Sequence, residues 1–299
     1  MAVVYFLLII GAVTTLYPFL IMLGTGFKGP IDQNDNKLIP AFWSDDAELL
    51  TKYRDDKYAS DASWISHTQT GDKASDKTIQ LYEEFLLSLP PEQWLAGFKT
   101  PPNHVTSRLS RRWQAWLKTK YRNLNEVNAA FNEINGAFQQ ISPPPERLDS
   151  VGWEPKGDQK WRDWLEFKQT LPAEFRIPIT ERRVFQEWLR AKLQNQVRDI
   201  PTELGEGLES FEQVPLPESG EHLAEFRADG LPIAFRQSGS IENQWAKISS
   251  EPLPIEASEI RFLREHEKPI RSEFTYRNYL YVLDYVLING RAVLNTALS

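Results

Sequence analysis

The sequence predicts a membrane protein in which an N-terminal transmembrane α-helix is followed by an α+β region, first a helical part and then a β-rich part. Three observations support this fold class. Residues 1–27 contain no charged side chain, and the first charge along the chain is Lys28. Apolar residues then recur with helical spacing up to about residue 201. Short apolar segments separated by Gly and Pro follow over residues 202–275.

The uncharged N-terminal segment is long enough to cross a bilayer. An α-helix rises about 1.5 Å per residue, so a hydrocarbon core of roughly 30 Å needs about 20 apolar residues. The stretch from Ala2 to Leu23 supplies them. A cleaved signal peptide has a basic start and an apolar run of only about 7–15 residues, whereas no basic residue precedes this longer run. We therefore predict an uncleaved transmembrane helix over residues 1–28.

Residues 29–201 are predicted to be mainly helical. The stretch DKTIQLYEEFLLSLP places Ile79, Tyr82 and Phe85 on one face of a helix. A second amphipathic pattern, SRLSRRWQAWLKTKYRNLNEVNAAFNEINGAF, is typical of two consecutive helices. The run SPPPER at 142–147 interrupts the periodicity, and we interpret it as a linker or the edge of a subdomain.

One short pattern occurs three times in this helical part. The segments WQAWL, WRDWL and FQEWL share an aromatic residue, two further residues and then Trp-Leu. Positions i, i+3 and i+4 of a helix lie on one face, so each copy brings two aromatic rings and a leucine together. Such a face either packs against a shared core or forms a platform on which a sugar stacks. The candidate contacts for a substrate or a partner are Trp113, Trp116, Trp161, Trp164 and Trp188.

Residues 202–275 differ in character from the helical part. Segments such as GLESFEQVPLP and HLAEFRADGLPIAFRQSGS contain short apolar stretches that Gly and Pro separate. This punctuation is typical of short strands that are joined by turns. We therefore predict a β-rich part over these residues.

Composition and spacing exclude several kinds of functional site. The net charge is −7 and no Lys/Arg-rich run occurs, so the basic stripe of a nucleic-acid-binding protein is absent. The chain has no cysteine, and its four histidines lack the spacing of zinc ligands. It also lacks the glycine-rich motifs that bind nucleotide phosphates. We therefore expect no catalytic residue, no metal site and no cofactor, and we expect that the chain is not an enzyme.

The two ends of the chain resemble one protein family. The N-terminal stretch YFLLIIGAVTTLYPFLIMLGTGFKGP is similar to the first span of the carbohydrate-importer type of ABC transporter permease. The C-terminal stretch YRNYLYVLDYVLINGRAVLNTALS is similar to the start of the second span in the same family. The matching residues are Tyr17-Pro18-Phe19, Thr25-Gly26-Phe27-Lys28, Asn278-Tyr279, Leu283, Gly290-Arg291 and Leu294-Asn295-Thr296.

The resemblance implies a maltose-type, binding-protein-dependent permease subunit in the cytoplasmic (inner) membrane. Residues after about 28 would be extracytoplasmic, with an unusually large insert up to residue 275. Residues 276–299 would be a return segment that leads into a second transmembrane helix. The implied partners are ATP-binding cassette ATPase subunits, a second permease subunit, an extracytoplasmic solute-binding protein and membrane lipid. The family's further spans and its cytoplasmic coupling loop lie outside this sequence, so the resemblance also implies a longer gene product.

Two other functions are compatible with the residues. The first is a single-pass, membrane-anchored domain that binds or cleaves glycans, because WQAWLKTKYRNLNEVNAAF resembles a helical stretch of some glycoside hydrolases. Such a hydrolase needs two carboxylates about 5–9.5 Å apart. The second is a membrane-tethered structural or assembly protein, which would have neither a bound sugar nor an ATPase partner.

Overall fold

The computed structural model describes residues 2–26, 39–59, 61–68, 71, 73–99 and 108–283 of the chain. These residues are mostly helical, and they contain one small sheet of two antiparallel strands. The strands are β1 (Trp94–Ala96) and β2 (Arg176–Pro178). The helices are α1 (Ala2–Gly26), α2 (Asp46–Lys57), α3 (Ala62–Thr68), α4 (Asp76–Ser88), α5 (Arg108–Lys120), α6 (Leu124–Phe131), α7 (Gln159–Gln169), α8 (Glu181–Lys192), α9 (Glu221–Glu225), α10 (Ile233–Ser238), α11 (Ile241–Trp245), α12 (Ile255–Glu265) and α13 (Glu267–Leu283).

Helix α1 is the long apolar helix that the sequence predicts. Its window Val4–Met22 has a mean hydropathy of 2.1 and none of it is buried. By length and composition this helix can cross a membrane, and it is the one helix of the described residues that can. Thr14 and Thr15 fit within it because their hydroxyls donate to the carbonyl oxygens of Ile10 and Gly11, at 2.7 and 2.8 Å.

The chain divides into two compact bodies. The first body contains the described residues of 1–55 and 261–299, and the second contains the described residues of 56–260. The second body is one continuous stretch of chain, whereas the first body is built from both of its flanks. This is the arrangement of a domain that is inserted into another element of structure.

Side chains from both flanks of the insertion hold the first body together. Phe42 packs edge-on against Phe274, with ring centroids 6.0 Å apart, and Nζ of Lys52 lies 4.6 Å from the centroid of the Phe42 ring. The guanidinium of Arg271 donates to the carbonyl oxygen of Phe42 and pairs with the carboxylate of Asp46. These contacts join α13 to the start of α2 and to the residues just before it.

The second body contains the sheet within a largely helical core. Leu95 of β1 lies opposite Ile177 of β2, and every residue of both strands is buried. The guanidinium of Arg176 donates to the carbonyl oxygens of Leu86 at 2.9 Å and of Leu171 at 2.8 Å. These carbonyl groups lie at or just beyond helix ends, where no partner exists within the helix. Arg176 therefore joins the sheet to the ends of α4 and α7.

Side-chain caps mark where several helices of the second body begin. At each one, a side-chain oxygen accepts a hydrogen bond from the backbone N–H three residues further along the chain. This satisfies one of the donors that the first turn of a helix leaves without a partner. The capping residues are Ser75 for α4, Asn123 for α6, Asp158 for α7, Thr180 for α8 and Ser240 for α11.

The prediction of a β-rich part over residues 202–275 is wrong, because this part is helical. Its elements are short 3-10 turns, a π-helical turn, α9 to α12 and the start of α13. Leu223 and Phe226 are three residues apart, Ile241 and Trp245 are four apart, and all four are buried. That spacing belongs to one helical face, whereas a half-buried strand buries every second residue. The Gly and Pro residues here separate short helices instead of strands.

The predicted helical part, residues 29–201, contains α2 to α8 among its described residues. The segment SPPPER lacks helix, as expected, but it is not a domain boundary. It lies within the second body, and the side chain of its residue Glu146 is completely buried. The predicted return segment, residues 276–299, is described as far as Leu283, where α13 ends. Residues 284–299, with the predicted start of a second transmembrane helix, lie outside the described residues.

Candidate functional site

Four of the five tryptophans that we predict as contacts lie in the interior of the second body. Trp113 and Trp164 have no exposed surface, and Trp161 and Trp188 are 7% and 6% exposed. A ring that stacks on a sugar must present a face to solvent, and these rings are almost completely covered by protein. The structure therefore places these four in the core, which is the other explanation of the repeated pattern.

The fifth, Trp116, is half-buried at the edge of this core. Its ring stacks on Trp113, with centroids 5.4 Å apart and planes 13° from parallel. Nζ of Lys120 lies 4.8 Å from the centroid of the Trp116 ring. Trp113 precedes Trp116 by three residues and Lys120 follows it by four, so the two contacts come from opposite directions along α5. A sugar could stack on Trp116 only by displacing the lysine.

The two segments that resemble the permease family meet in the first body. The side-chain Nδ2 of Asn278, on α13, donates to the carbonyl oxygen of Gly26, the last residue of α1, at 3.1 Å. A Cβ atom at Gly26 would lie 2.9 Å from Cζ of Tyr279, so a larger residue there would have to displace this ring. The end of α1 and the Asn-Tyr pair of α13 are therefore direct neighbours, although 252 positions separate Gly26 from Asn278.

Exposed apolar surface surrounds this meeting point. The last turns of α13 expose Leu280, Val282 and Leu283, and α1 exposes apolar side chains along its length. Covering apolar surface is worth about 25 cal/mol for each Å², and soluble monomers rarely expose contiguous apolar patches of more than a few hundred Å². Both helices therefore expose more apolar surface than isolated soluble helices usually do, which is the kind of surface that a membrane or another protein covers.

A shallow pocket of about 310 Å³ lies at the C-terminal end of α8 in the second body. Two consecutive residues there, Gln194 and Asn195, adopt positive φ angles of 50° and 62°. Such backbone costs about 1 kcal/mol or more per residue and is often found at functional sites. The N–H of Asn195 closes the turn by donating to the carbonyl oxygen of Arg190 at 2.8 Å. The pocket is lined by Ser150, Val151, Glu187, Arg190, Ala191, Gln194 and Asn195.

The charged groups beside the pocket neutralise one another. The guanidinium of Arg183 lies 3.3 Å from the carboxylate of Asp149 and 3.2 Å from that of Glu187. Arg190 lies 3.3 Å from Glu187 and 2.5 Å from Glu212. Burial raises the pKa of the Glu187 carboxyl, although Arg183 and Arg190 oppose this shift. Because Arg183, Arg190 and Glu187 pair with one another, and Arg190 also donates to Oδ1 of Asn195 at 3.3 Å, the pocket offers mainly amide and hydroxyl groups, which suit a neutral polar ligand better than an anion.

The described residues contain no group of three or more His, Cys, Asp or Glu side chains that could hold a metal ion. His104 lies outside the described residues. His222 lies 3.8 Å from the carboxylate of Glu203, and His266 stacks on Phe262 with ring centroids 4.4 Å apart.

His67 lies where α3 meets the start of α8. Its Nε2 hydrogen-bonds with the hydroxyl of Thr180, and the same hydroxyl oxygen caps α8 by accepting the N–H of Arg183 at 3.2 Å. Burial lowers the pKa of His67 to about 3, and the charges of Arg182 and Arg183 add to this effect. The imidazole is therefore neutral at pH values near 7.

We expect this neutral His67 to make the protein less stable in mild acid. The unfolded chain takes up a proton near pH 6.5, whereas the folded state resists protonation down to about pH 3. The unfolded state thus binds more protons in this window, and the free energy of unfolding falls by up to about 1.4 kcal/mol per pH unit. Urea unfolding of the full chain in detergent, at about pH 7 and about pH 5, measures the slope. His67→Gln cannot titrate, so its slope should be shallower, and equal slopes would contradict the expectation.

The pocket and the hydrogen bond between Asn278 and Gly26 are not predicted by the sequence. For the pocket, the available signal is the Gln-Asn pair that follows an amphipathic helix, since Asn is favoured in the left-handed conformation at helix ends. The hydrogen bond joins the end of α1 to the Asn-Tyr pair of α13, and each of these two motifs is recognisable in the sequence. Their contact is a tertiary interaction that neither motif reveals.

Comparison of the chain with protein-family models, with curated proteins and with solved structures finds no match. The function is therefore inferred from the residues and from the geometry described above.

Proposed function

We propose that the chain is part of the permease subunit of an ABC importer for sugars in the cytoplasmic membrane. In this proposal α1 crosses the membrane, and residues after about 28 form an extracytoplasmic insert between the first and second spans. Separate ATPase subunits supply the energy by hydrolysing ATP. A solute-binding protein delivers the sugar, and a second permease subunit completes the pore.

The hydrogen bond between Asn278 and Gly26 is the observation on which this proposal depends. An insert between two consecutive spans requires the chain to leave and re-enter the membrane at neighbouring positions. The end of α1 and the Asn-Tyr pair of α13 meet this requirement because they are in contact. A domain anchored by a single span has no such need, since its chain does not have to return to the base of that span.

The apolar character at the end of α13 supports the same proposal. Leu280, Val282 and Leu283 follow directly after Asn278 and Tyr279, and their side chains are more than half exposed. A segment that continues into a bilayer would bury these side chains in hydrocarbon, where they gain the free energy of transfer from water.

The first test is the topology of the full gene product in its native membrane. The chain described here has no cysteine, so one introduced cysteine reports its own accessibility. We expect Ser142→Cys, at an exposed position of the second body, to react with a membrane-impermeant maleimide added to intact spheroplasts. Ser240→Cys is the matched control, because Ser240 is 5% exposed and should react only after denaturation. Reaction of Ser142→Cys only after membrane permeabilisation would exclude the proposed orientation.

The second test distinguishes an importer from an anchored glycan-binding domain. The pocket beside Gln194 and Asn195 favours the second function, because its amide and hydroxyl groups could bind sugar hydroxyls. An importer should co-purify with an ATPase subunit, and its ATP hydrolysis should rise when the sugar-loaded binding protein is added. Direct sugar binding by the chain, together with no associated ATPase, would favour the anchored domain instead.

A further inference from the structure

We propose that Trp43, Tyr276 and Leu280 form an interfacial collar that binds the headgroup layer of the membrane and fixes the depth of the first body. The occupant of this surface is lipid, at the boundary between the acyl chains and the headgroups. The collar rests on the proposed function in one respect, namely that α1 crosses the membrane.

Two hydrogen bonds give the position of the collar relative to α1. The indole N–H of Trp43 donates to the hydroxyl of Thr275 at 2.9 Å, and Asn278 donates to the carbonyl oxygen of Gly26 at 3.1 Å. Positions 275 and 278 lie on one face of α13, about 4.5 Å apart along its axis. Trp43 therefore lies about one turn of α13 away from the contact with the end of α1.

The three collar residues expose apolar surface near the end of α1. Trp43 is 40% exposed, Tyr276 is 55% exposed and Leu280 is 59% exposed. Tyr276 and Leu280 are four residues apart and share a face of α13. Trp43 approaches α13 through Thr275, which lies on a different face of the helix. The collar thus places aromatic and apolar surface on two sides of α13.

The chemistry of these side chains matches the boundary layer of a bilayer. Trp and Tyr combine an apolar ring with a polar group, and they are enriched where hydrocarbon meets headgroups. The collar also lies near the end of α1, whose apolar window Val4–Met22 is entirely exposed. The window ends at Met22, about one turn before Gly26, so if it spans the hydrocarbon core, residues beside and just beyond Gly26 lie at the level of the headgroups.

Spin labels on single cysteines test the collar directly. The full gene product is labelled at Tyr276→Cys or Leu280→Cys and reconstituted into phosphatidylcholine–phosphatidylglycerol vesicles. The ratio of collision rates with oxygen and with a water-soluble nickel chelate then reports the depth of each label. Val13→Cys, at a 57% exposed position of α1, is the deep reference, and Ile248→Cys, at a 47% exposed position of the second body, is the aqueous control. We expect both collar positions to give ratios between the two references, with Leu280 deeper than Tyr276.

The other outcomes overturn the collar in distinguishable ways. Aqueous ratios at Tyr276 and Leu280, together with a deep ratio at Val13, would show that α1 crosses the membrane but that the collar does not contact lipid. Low collision rates with both reagents at the collar positions would show that protein covers this surface, not lipid. An aqueous ratio at Val13 would show that α1 does not cross the membrane. This result would contradict the collar and the proposed function together.

Fluorescence quenching tests the tryptophan of the collar separately. Phosphatidylcholine that carries bromine atoms near the ester carbonyls quenches indoles that lie at the headgroup boundary. We expect Trp43→Phe to reduce the quenched fraction of the total tryptophan emission in these vesicles. Trp153→Phe, which removes a half-buried tryptophan of the second body, is the control and should leave the quenched emission unchanged. Equal quenching of the wild type and Trp43→Phe would show that Trp43 does not lie at the headgroup boundary.

Discussion

Lys168→Met is expected to lower the free energy of unfolding by about 3–5 kcal/mol, because it leaves a carboxylate buried without its central cation. The side chains of Lys168 and Glu146 are both 0% exposed, and Nζ lies 2.6 Å from Oε1. Nζ also donates to the carbonyl oxygens of Pro91 and, at 2.5 Å, of Trp94. Three acceptors therefore lose their donor at once. Denaturant unfolding of the full chain in detergent, followed by circular dichroism, measures the loss.

The charge of Glu146 explains why this loss should be large. Burial alone would raise the pKa of the Glu146 carboxyl, but Lys168 and Lys99 outweigh burial and lower the pKa to about 2. The carboxylate is therefore ionised at neutral pH and depends on its cations. Lys99→Met is the matched control, because Lys99 lies 2.7 Å from the other oxygen of Glu146 but is 32% exposed. Water can replace this partner in part, so we expect a loss of only about 1 kcal/mol.

A double variant separates the unpaired charge from the lost contacts. Glu146→Gln added to Lys168→Met removes the buried charge, so part of the lost stability should return. The prediction would be contradicted if Lys168→Met cost no more than Lys99→Met. In that case the salt bridge would not be what holds the SPPPER segment against β1.

Trp113→Ala is expected to cost about 3–5 kcal/mol, as is typical when a large core ring is removed. Trp113 has no exposed surface and packs against the rings of Trp116, Phe131, Trp164 and Phe167, at centroid distances of 5.3 to 6.2 Å. These rings belong to α5, α6 and α7, so the indole fills the space where three helices meet. The helices can close the resulting cavity only in part. Thermal and denaturant unfolding of the full chain in detergent measure the cost.

Trp113→Phe is the matched control for this cavity. The indole N–H of Trp113 has no hydrogen-bond acceptor among the described residues, so the Phe variant loses volume but no hydrogen bond. We expect a cost of about 1–2 kcal/mol for this change. Trp116→Ala should also cost less than Trp113→Ala, because Trp116 is half-buried. Equal costs at the two positions would contradict the placement of Trp113 at the centre of the cluster.

The elements that the sequence predicts correctly are those with a long local pattern. Helix α1 follows from a long run without a charged residue, and α4 follows from apolar residues at helical spacing. The prediction fails over residues 202–275, where α9, α10 and α11 are only one or two turns long. Gly and Pro flank short helices as readily as they flank short strands, so the positions of Gly and Pro alone do not distinguish helices from strands. The packing of residues such as Phe226 and Trp245 decides the outcome there.

For the candidate site, too, the local pattern predicts which residues share a helical face, and the packing decides what that face contacts. The repeated aromatic-x-x-Trp-Leu pattern predicts that rings share a helical face, and in α5 Trp113 and Trp116 do stack. The pattern is the same for a core and for a sugar platform, because spacing along a helix does not reveal what lies opposite it. Burial resolves the ambiguity, and it places Trp113 and Trp164 in the core. The pocket at Gln194 and Asn195 depends on left-handed backbone that the sequence barely indicates.

By itself, the sequence determined that α1 is apolar and long enough to cross a membrane, and that the chain carries neither a cysteine nor a basic stripe. These properties depend only on composition and on spacing along the chain. The tertiary structure alone decided that Asn278 reaches Gly26 across 252 positions, and that Glu146, in a Pro-rich loop, is buried against Lys168. Such contacts join segments that are distant in sequence, so they exist only once the helices between them have packed.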